Sequence, residues 1–308
     1  MTDIKIKCLG GMVGSALGDA IGELAFQYRN KEDICIQLDR LKELRYTDDT
    51  AMSIGLAESL IKKGILDQQD LGETFRYNYE REPWRGYASG PPTIFSMVKQ
   101  SGITYAEAAR GLFGGTGSLG NGAAMRIVPV GLFFHDSSDL YEKACMSAAV
   151  THAHPVGKDG AAVQARAVSL VVKLDPKEAF SSRAFMDTLI DFSRTPEIEE
   201  KMRLIQKLIN AQSPPSLAAE QLGQTVAVHE SMPFALFSFL RHPKSFEDCL
   251  FCATLNGGDR DTLGAMACAI SGAYLGIESI SQSWRMKLEN RSYIEDLALK
   301  LSEIKPVD

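Results

Sequence analysis

Basic residues are in the minority in this chain of 308 residues. It contains 33 Lys and Arg against 39 Asp and Glu, which gives a formal net charge of -6 at pH 7. Binding to nucleic acid or to an anionic membrane surface normally draws on clustered Lys and Arg. The composition gives no sequence-wide attraction to either, so we expect no nucleic-acid or membrane partner.

Cysteine is sparse, and its copies are scattered instead of grouped as a disulfide framework. Cys249 and Cys252 form a C-x-x-C pair, but the sequence has no second pair for zinc and no surrounding βαβ pattern. We therefore predict ordinary buried helix residues at both positions. Scattered thiols favour a reducing compartment, and we expect a cytoplasmic protein. The six cysteines are Cys8, Cys35, Cys145, Cys249, Cys252 and Cys268.

The N-terminal segment lacks the features of a secretory leader. It has no basic region followed by an uninterrupted apolar run, and Asp19 falls inside any span that could be drawn there. We predict neither a signal peptide nor a transmembrane helix in this segment.

Strand patterns are also scarce, whereas apolar residues recur at helical spacing over long stretches. With 45% hydrophobic residues and no Pro/Gly/Ser-rich linker, the sequence predicts one all-α domain over residues 1–308. The polar stretch 175–200 is predicted to be a connection between helices. The predicted helical segments are 51–63, 141–153, 160–174, 198–211, 217–229 and 262–276.

Small residues repeat every four positions near both ends of the sequence. If each segment is helical, its repeat forms one smooth face, and the two faces can pack backbone to backbone. We predict this contact, which would bring the two ends of the sequence together. The first repeat is Gly10, Gly14, Gly18 and Gly22, and the second is Gly264, Cys268, Gly272 and Gly276.

Two acidic clusters stand at the beginnings of predicted helices. "YTDDTAM" contains Asp48 and Asp49, and "NGGDRDTLGAM" contains Asp259 and Asp261. Helix capping explains either cluster alone, because Asp and Thr oxygens accept the orphan amide hydrogens of a first turn. However, each cluster has two carboxylates where one would cap, and four would repel one another without a cation. Oxygen ligands without paired His or Cys favour Mg²⁺, Mn²⁺ or Ca²⁺, and four carboxylates suit a two-metal site.

A glycine-rich segment, "GLFGGTGSLGNGAAMR" at 111–126, contains an apparent dinucleotide fingerprint. A Rossmann unit needs a strand before that fingerprint, but "YAEAARGLF" is typical of a helix. A P-loop is excluded because Asn121 follows Gly120 where Lys is required. Two interpretations remain, namely an ordinary flexible loop and a concave anion site whose backbone N–H groups hold a diphosphate.

Among the five histidines, His152 and His154 close a predicted helical segment beside Pro155. A structural role for such a pair is the alternative to a functional one. No Gly-x-Ser-x-Gly elbow occurs, and no cysteine stands in a recognisable catalytic setting. A covalent nucleophile is therefore not supported.

Taken together, four motifs resemble the ADP-ribosylhydrolase (ADP-ribosylglycohydrolase) family, and the resemblance spans nearly the whole chain. The segments 85–95 and 229–241 and the Phe113 loop are most similar to the branch that hydrolyses serine-linked ADP-ribose and related O-linked esters and polymers. The motifs are "YTDDTAM" at 46–52, "GSLGNGAAMR" at 117–126, "THAHPVGKDGA" at 151–161 and "GGDRDTLGAMACAISGAYLG" at 257–276.

This resemblance implies a compact orthogonal helical bundle with two Mg²⁺ ions in a cleft. Its partners would be ADP-ribose and ADP-ribosylated proteins, and we expect a monomer. The implied ligands of one ion are Thr47, Asp48, Asp49 and Asp261, and those of the other are Asp259, Asp261 and Thr262.

The resemblance also implies which residues contact the substrate. A glycine loop would surround the diphosphate and distal ribose, a histidine would contact the ligand, and an aliphatic residue would line the adenine side. Asp48 would contact both substrate and metal. The implied substrate residues besides Asp48 are Phe113, Thr116, Gly117, Ser118, Leu119, Gly120, Asn121, Gly122, His152 and Val226.

Two positions depart from the family pattern. The family glutamate that follows "GDA-x-G" corresponds to Phe26 here, and Glu23 lies three positions earlier. Leu119 stands where some relatives of this branch have tyrosine. We predict that Glu23 substitutes for the missing glutamate, and the alternative is an impaired protein that still binds ADP-ribose.

The resulting hypothesis is Mg²⁺-dependent hydrolysis of the bond between C1 of the distal ribose and a side-chain oxygen or acyl group. Asp48 or Glu23 would act as base or acid. The alternatives are an ADP-ribose-binding or structural member without catalysis, an arginine-linkage hydrolase, and a two-metal phosphohydrolase.

Overall fold

The computed structural model describes residues 3–306, and α-helices dominate this part of the chain. Residues 3–306 contain no β-strand, and only two isolated bridges occur there, Leu44 with Leu288 and Gly120 with Ala227. The all-α prediction is therefore confirmed. The helices are α1 (Ile4–Gln27), α2 (Lys31–Arg40), α3 (Asp48–Lys63), α4 (Gln68–Arg81), α5 (Gly90–Ser101), α6 (Tyr105–Gly111), α7 (Val128–Phe133), α8 (Leu140–Ala149), α9 (Pro155–Val171), α10 (Ser182–Phe192), α11 (Pro196–Asn210), α12 (Pro215–Leu222), α13 (Val228–Arg241), α14 (Phe246–Leu255), α15 (Arg260–Leu275), α16 (Gln282–Lys287) and α17 (Arg291–Glu303).

Local sequence explains where several helices begin and end. The Thr104 side chain accepts from the Glu107 amide while the Glu107 carboxylate accepts from the Thr104 amide, which forms a capping box before α6. Asp67 caps α4 in the simpler way, accepting from two first-turn amides. Gly64 ends α3 in the left-handed conformation, which glycine adopts at little cost.

Two boundary predictions were wrong. The segment 217–229 is not one helix, because Gly223 adopts a φ of 88° and separates α12 from α13. The stretch 175–200 is more than a connection, since it contains α10, which buries apolar residues on one face and is capped by Ser181. Both errors arose because the overall periodicity or polarity of a segment was taken to hold along its whole length. A single glycine divides the first segment, and a helix with an apolar face lies within the second.

Buried apolar side chains from nearly every helix join in one continuous core, which extends from Cys8 in α1 to Leu301 in α17. Cys249 and Cys252 both lie in α14 and are buried, so the prediction of ordinary helix cysteines is confirmed. Among residues 3–306, no helix is both long and apolar enough to cross a bilayer.

The predicted contact between the two small-residue faces is confirmed. A Cβ atom built on Gly14 would lie 2.6 Å from the Cys268 carbonyl oxygen, and one on Gly22 would lie 2.6 Å from the Asp261 Cα. Helices α1 and α15 therefore pack with their backbones in direct contact, and they run in opposite directions. As a consequence, the C-terminal half of α1 lies against the first turn of α15, where the second acidic cluster begins.

Candidate active site

The two acidic clusters occupy the first turns of α3 and α15. Thr47 and Asp259 are the N-cap residues, yet within the described chain neither side chain makes a capping hydrogen bond. Asp259 Oδ2 instead accepts from Asn121 Nδ2 at 2.6 Å, which ties α15 to the glycine-rich segment. Simple helix capping therefore does not account for these two residues.

Thr262 connects the two clusters directly. Its hydroxyl lies 3.3 Å from Asp49 Oδ2, and the Thr47 hydroxyl lies 3.4 Å from the same oxygen on the other side. The first turns of α3 and α15 consequently lie close together, and the two acidic clusters converge.

Asp19 is a residue of this region that the sequence reasoning missed. It is buried in α1 and accepts hydrogen bonds from the amides and hydroxyls of Thr47 and Thr50 over distances of 2.6–3.0 Å. Burial raises the pKa of Asp19 to about 6, although the threonine donors act in the opposite direction. Asp19 therefore positions the turn that carries Asp48 and Asp49. The available signal was a carboxylate between the glycines and apolar residues of the predicted small-residue face.

Burial and mutual repulsion raise the pKa values of the clustered carboxyl groups. Burial, followed by the charge of Asp19, raises the pKa of Asp48 to about 7. Burial and then Asp259 raise the pKa of Asp261 to about 8, and the same two kinds of cause raise the pKa of Asp49 well above its ordinary value. Without a compensating cation, the site holds more negative charge than its surroundings stabilise.

The oxygen atoms present fit a divalent cation. Asp49 Oδ1 is buried and has no hydrogen-bond partner within residues 3–306, which is costly for a carboxylate oxygen. No three Asp, Glu, His or Cys side chains in that range are already arranged as a metal-binding cluster. Threonine hydroxyls contribute to the set, however, and the unpartnered oxygen, the repulsion and the all-oxygen chemistry together suit a hard ion such as Mg²⁺.

A cleft with a volume of about 360 Å³ opens onto both clusters. Its walls include Gly86 and Pro91, which belong to the segment 85–95, and the buried residues Arg126 and Thr151, which the sequence reasoning did not assign. Most of the predicted site residues line this cleft. They are Asp48, Asp49, Phe113, Ser118, Gly120, Asn121, Gly122, His152, Val226, Asp259, Asp261 and Thr262.

The glycine-rich segment is an ordered turn held against the start of α13. Phe113, Gly114, Gly115 and Gly117 all have positive φ angles, so the chain reverses sharply here. The Asn121 amide then donates to the Val226 carbonyl at 2.8 Å, and this pairing brings Val226 to the cleft.

Several predicted site residues do not line the cleft. Thr116 is exposed and its hydroxyl donates to the Phe113 carbonyl, while Gly117 packs against the backbone at Ala153 and His154. Leu119 directs its side chain to the surface, although its carbonyl accepts from the Val228 amide. Thr47 is not among the lining residues; its hydroxyl donates to Asp19 and lies 3.4 Å from Asp49 Oδ2, at the edge of the acidic cluster. The predicted substrate contacts of Thr116, Gly117 and Leu119 are thus not supported by the cleft geometry.

Glu23 lies on α1 beside the first turn of α15, outside the residues that line the described cleft. Its side chain is exposed, partial burial raises its pKa, and its charge contributes to the raised pKa of Asp261. Phe26, at the position of the family glutamate, is 41% exposed. The carboxylate closest in sequence to the missing glutamate therefore lies near the acidic clusters without facing the cleft.

The histidines differ in their surroundings. His152 is buried in the cleft wall, with Nδ1 2.7 Å from the Thr151 hydroxyl. Burial, reinforced by the charge of Arg126, lowers the pKa of His152 to about 3. His154 instead caps α9, since its Nδ1 accepts from the Val156 amide.

An all-helical fold with an oxygen-rich acidic cleft beside a glycine turn defines the class of site, and comparison with known proteins identifies its chemistry. Residues 1–307 match the family model described as ADP-ribosylglycohydrolase. The chain belongs to the ADP-ribosylglycohydrolase family and is an ADP-ribosylhydrolase, an enzyme that removes ADP-ribose.

Individual relatives cover nearly the whole chain. ADP-ribosylhydrolase ARH3 of Xenopus tropicalis is 32% identical over 96% of this chain and 94% of its own length. The Homo sapiens ARH3 is 30% identical over 96% of this chain and 92% of its own length. A solved structure titled ADP-ribosylglycohydrolase-related protein complex has a TM-score of 0.69 and 23% identity, covering 98% of this chain and 99% of that one. The predicted fold type is confirmed.

Proposed function

We propose that this enzyme is a Mg²⁺-dependent hydrolase of O-linked ADP-ribose, with serine-linked proteins, O-acetyl-ADP-ribose or poly(ADP-ribose) as substrates. The observation that carries the proposal is the convergence of the two acidic clusters on one cleft, opposite an ordered glycine turn. The O-linkage rests on the segments 85–95 and 229–241 and on the ARH3 relatives, whose identities of 30–32% exceed the 27% of the Rhodospirillum rubrum ADP-ribosyl-dinitrogen reductase glycohydrolase.

The cleft offers complementary surfaces to the parts of ADP-ribose. Phe113 and Val226 are 66% and 65% exposed at its rim, where they provide apolar surface for the adenine. In the turn from Ser118 to Gly122, the Gly120 and Asn121 amides already donate to Ser118 Oγ and the Val226 carbonyl, and the remaining backbone N–H groups are suited to the diphosphate. His152 presents a ring nitrogen between the turn and the acidic clusters.

The residues that would hold the two Mg²⁺ ions are Thr47, Asp48, Asp49 and Asp261 for one, and Asp259, Asp261 and Thr262 for the other. When bound, the ions would neutralise the carboxylates, bind the ribose hydroxyls and position the water that attacks the anomeric carbon. Asp19 contributes by holding the Thr47–Thr50 turn in place, and Asn121 contributes by holding Asp259.

Hydrolysis breaks the bond between C1 of the distal ribose and the linking oxygen. Water supplies hydroxide to C1 and one proton to the departing oxygen, so the products are ADP-ribose and the alcohol or acid. Asp48 lines the cleft and is the better candidate to accept the proton of the water. Glu23 is the alternative acid or base, and it would have to approach the cleft from the end of α1.

The linkage is tested by assaying three substrates side by side, namely O-acetyl-ADP-ribose, a serine-linked peptide and an arginine-linked peptide. We expect Mg²⁺-dependent release of ADP-ribose from the first two and poor cleavage of the third. The acetyl ester should tolerate the absent family glutamate best, because acetate leaves more readily than a serine alkoxide.

Chelator and two variants complete the experiment. Asp48→Asn should be inactive on all substrates, and Asp136→Asn, an exposed carboxylate outside the described cleft, should be unaffected. Preferential cleavage of the arginine linkage would overturn the O-linkage assignment. Equal turnover in chelator would overturn the metal requirement, and release of phosphate instead of intact ADP-ribose would indicate a phosphohydrolase.

We also propose that the enzyme is a cytoplasmic monomer within one domain spanning residues 1–308. All six cysteines lie in the described part of the chain and none forms a disulfide there, which suits a reducing compartment. Sedimentation analysis of the purified protein, with and without ADP-ribose, would reveal any dimer.

A further inference from the structure

Three buried side chains connect the protein core to the cleft. Two of them, Arg126 and Thr151, have no role in the hydrolysis described above. Arg126, Thr151 and His152 are 0%, 2% and 7% exposed. Arg126 follows the glycine turn, whereas Thr151 and His152 follow the end of α8. All three line the cleft wall.

Arg126 is held rigidly at the inner end of this series of three side chains. Its guanidinium carbon lies 4.7 Å from the centroid of the Phe75 ring. Nη1 donates to the Gly122 carbonyl at 2.8 Å, and Nη2 donates to the Thr151 hydroxyl at 2.7 Å. A guanidinium has donors only, so Thr151 Oγ1 must be the acceptor in the second bond.

The Thr151 hydroxyl then has one proton left to donate. His152 Nδ1 lies 2.7 Å away, and no other acceptor contacts Thr151 Oγ1 within residues 3–306. Donation to Nδ1 gives both the Thr151 hydroxyl proton and His152 Nδ1 a partner, and only Arg126 Nε of these three side chains is left without one within residues 3–306. If Nδ1 carried the ring proton instead, two donors would point at Thr151 Oγ1 and the threonine proton would be buried without a partner, at a cost typical of an unsatisfied polar group.

The other ring nitrogen faces the glycine turn. A Cβ atom built on Gly122 would lie 3.1 Å from His152 Nε2, and one built on Gly120 would lie 3.5 Å from it. Because both positions are glycine, the ring edge remains accessible from the cleft. Arg126 thus contacts the turn through Gly122 and the histidine through Thr151, and it fixes the two cleft walls relative to each other.

We propose that Arg126 and Thr151 are positioning residues that hold His152 as the neutral tautomer protonated on Nε2. The ring then presents one fixed hydrogen-bond donor to an acceptor oxygen of the bound ligand. That the ligand is ADP-ribose rests on the proposed function, whereas the tautomer is a property of the ligand-free protein. Burial and the neighbouring guanidinium keep the ring uncharged, since they lower its pKa to about 3.

The tautomer is measured by long-range ¹H–¹⁵N correlation on histidine-labelled, ligand-free protein. His152 should show a pyridine-like Nδ1 and a protonated Nε2 that do not change between pH 5 and pH 8. The His152→Gln spectrum assigns the signals. His154 provides an internal reference in the same spectrum, because its Nδ1 accepts from the Val156 amide, an arrangement in which a neutral ring carries its proton on Nε2.

Variants at Thr151 separate positioning from general structure. In Thr151→Val the hydroxyl is absent, so the signals should become those of a mixture of tautomers, and affinity for ADP-ribose should fall roughly fivefold to tenfold. Thr151→Ser keeps the hydroxyl and should restore both properties. The matched control is Thr188→Val, which removes an exposed hydroxyl that donates only within α10.

A wild-type protein with the ring proton of His152 on Nδ1 would overturn the proposal. This measurement does not depend on whether any variant folds. A Thr151→Val protein with an unchanged tautomer would remove Thr151 from the role. Unchanged ADP-ribose affinity despite a changed tautomer would show that the donor does not serve the ligand. Failure of the enzyme to cleave any O-linked substrate would refute the proposed function and leave the tautomer assignment standing.

Discussion

Gly18→Ala is expected to destabilise the protein because α1 and α15 touch through their backbones. The added Cβ would lie 2.5 Å from the Gly264 carbonyl carbon and 2.9 Å from the Ala265 nitrogen. Neither atom belongs to a side chain that could change rotamer. The two helices would have to separate or slide along their whole contact, on which the placement of Asp19 opposite the α15 acids depends.

The size of the effect follows from two opposing terms. Alanine in place of glycine favours a helix by about 1 kcal/mol. Overpacking in a well-packed core typically costs ~1–3 kcal/mol and occasionally more, and a clash between two backbones belongs at the upper end of that range. We expect a net loss of about 2–3 kcal/mol, which corresponds to a melting temperature lower by roughly 3–5 °C in a protein of this size.

Gly11→Ala is the matched control, since Gly11 lies in the same helix and gains the same helix propensity. Its added Cβ would lie 3.3 Å from Ala273 Cβ and from Leu132 Cδ1, so small side-chain shifts can accommodate it. Urea unfolding of both variants provides the comparison, and Gly11→Ala should remain within about 1 kcal/mol of wild type. If the two variants had equal stability, the backbone contact would not be the constraint that we describe.

Three further predictions concern the acids. Asp261→Asn should weaken Mg²⁺ binding more than a change at any other implied ligand, because Asp261 is assigned to both ions; undiminished binding by calorimetry would remove the two-ion assignment. Glu23→Gln should abolish turnover while ADP-ribose still binds, if Glu23 replaces the family glutamate, and wild-type activity in that variant would show that another group acts. The pKa values of about 7 for Asp48 and about 8 for Asp261 exceed the ordinary value near 3.9, so the unfolded chain releases these protons first. Metal-free protein should therefore lose stability relative to Asp261→Asn as pH rises from about 4 to about 8, and a difference that does not change with pH in urea unfolding would contradict the shifts.

The helix contact and the convergence of acids could be predicted from sequence because each depends on spacing. A four-residue repeat of small residues defines a helix face by geometry alone, and two such repeats have few other ways to pack. Likewise, four carboxylates in two clusters imply a cation wherever they meet. These arguments need no knowledge of the rest of the chain.

Asp19 could not be assigned in this way, because its role depends on four donors from a turn that is distant in sequence. The orientation of Thr116, Gly117 and Leu119 depends on successive positive φ angles, which determine whether each residue faces the cleft or the surface. The sequence located the turn, but not which of its residues face inward. Arg126 and Thr151 were missed because neither is unusual until their burial and mutual distance are known.

The pairing of α1 with α15 has a consequence during synthesis of the chain. Helix α1 leaves the ribosome before α15, and the segment 28–259 is translated between them. At roughly 5–20 residues per second, the intervening segment takes on the order of tens of seconds to appear. Throughout that interval the small-residue face of α1 lacks its native neighbour. A nascent chain stalled before residue 260 should therefore recruit holding chaperones to its N-terminal segment, and it should release them once α15 has emerged.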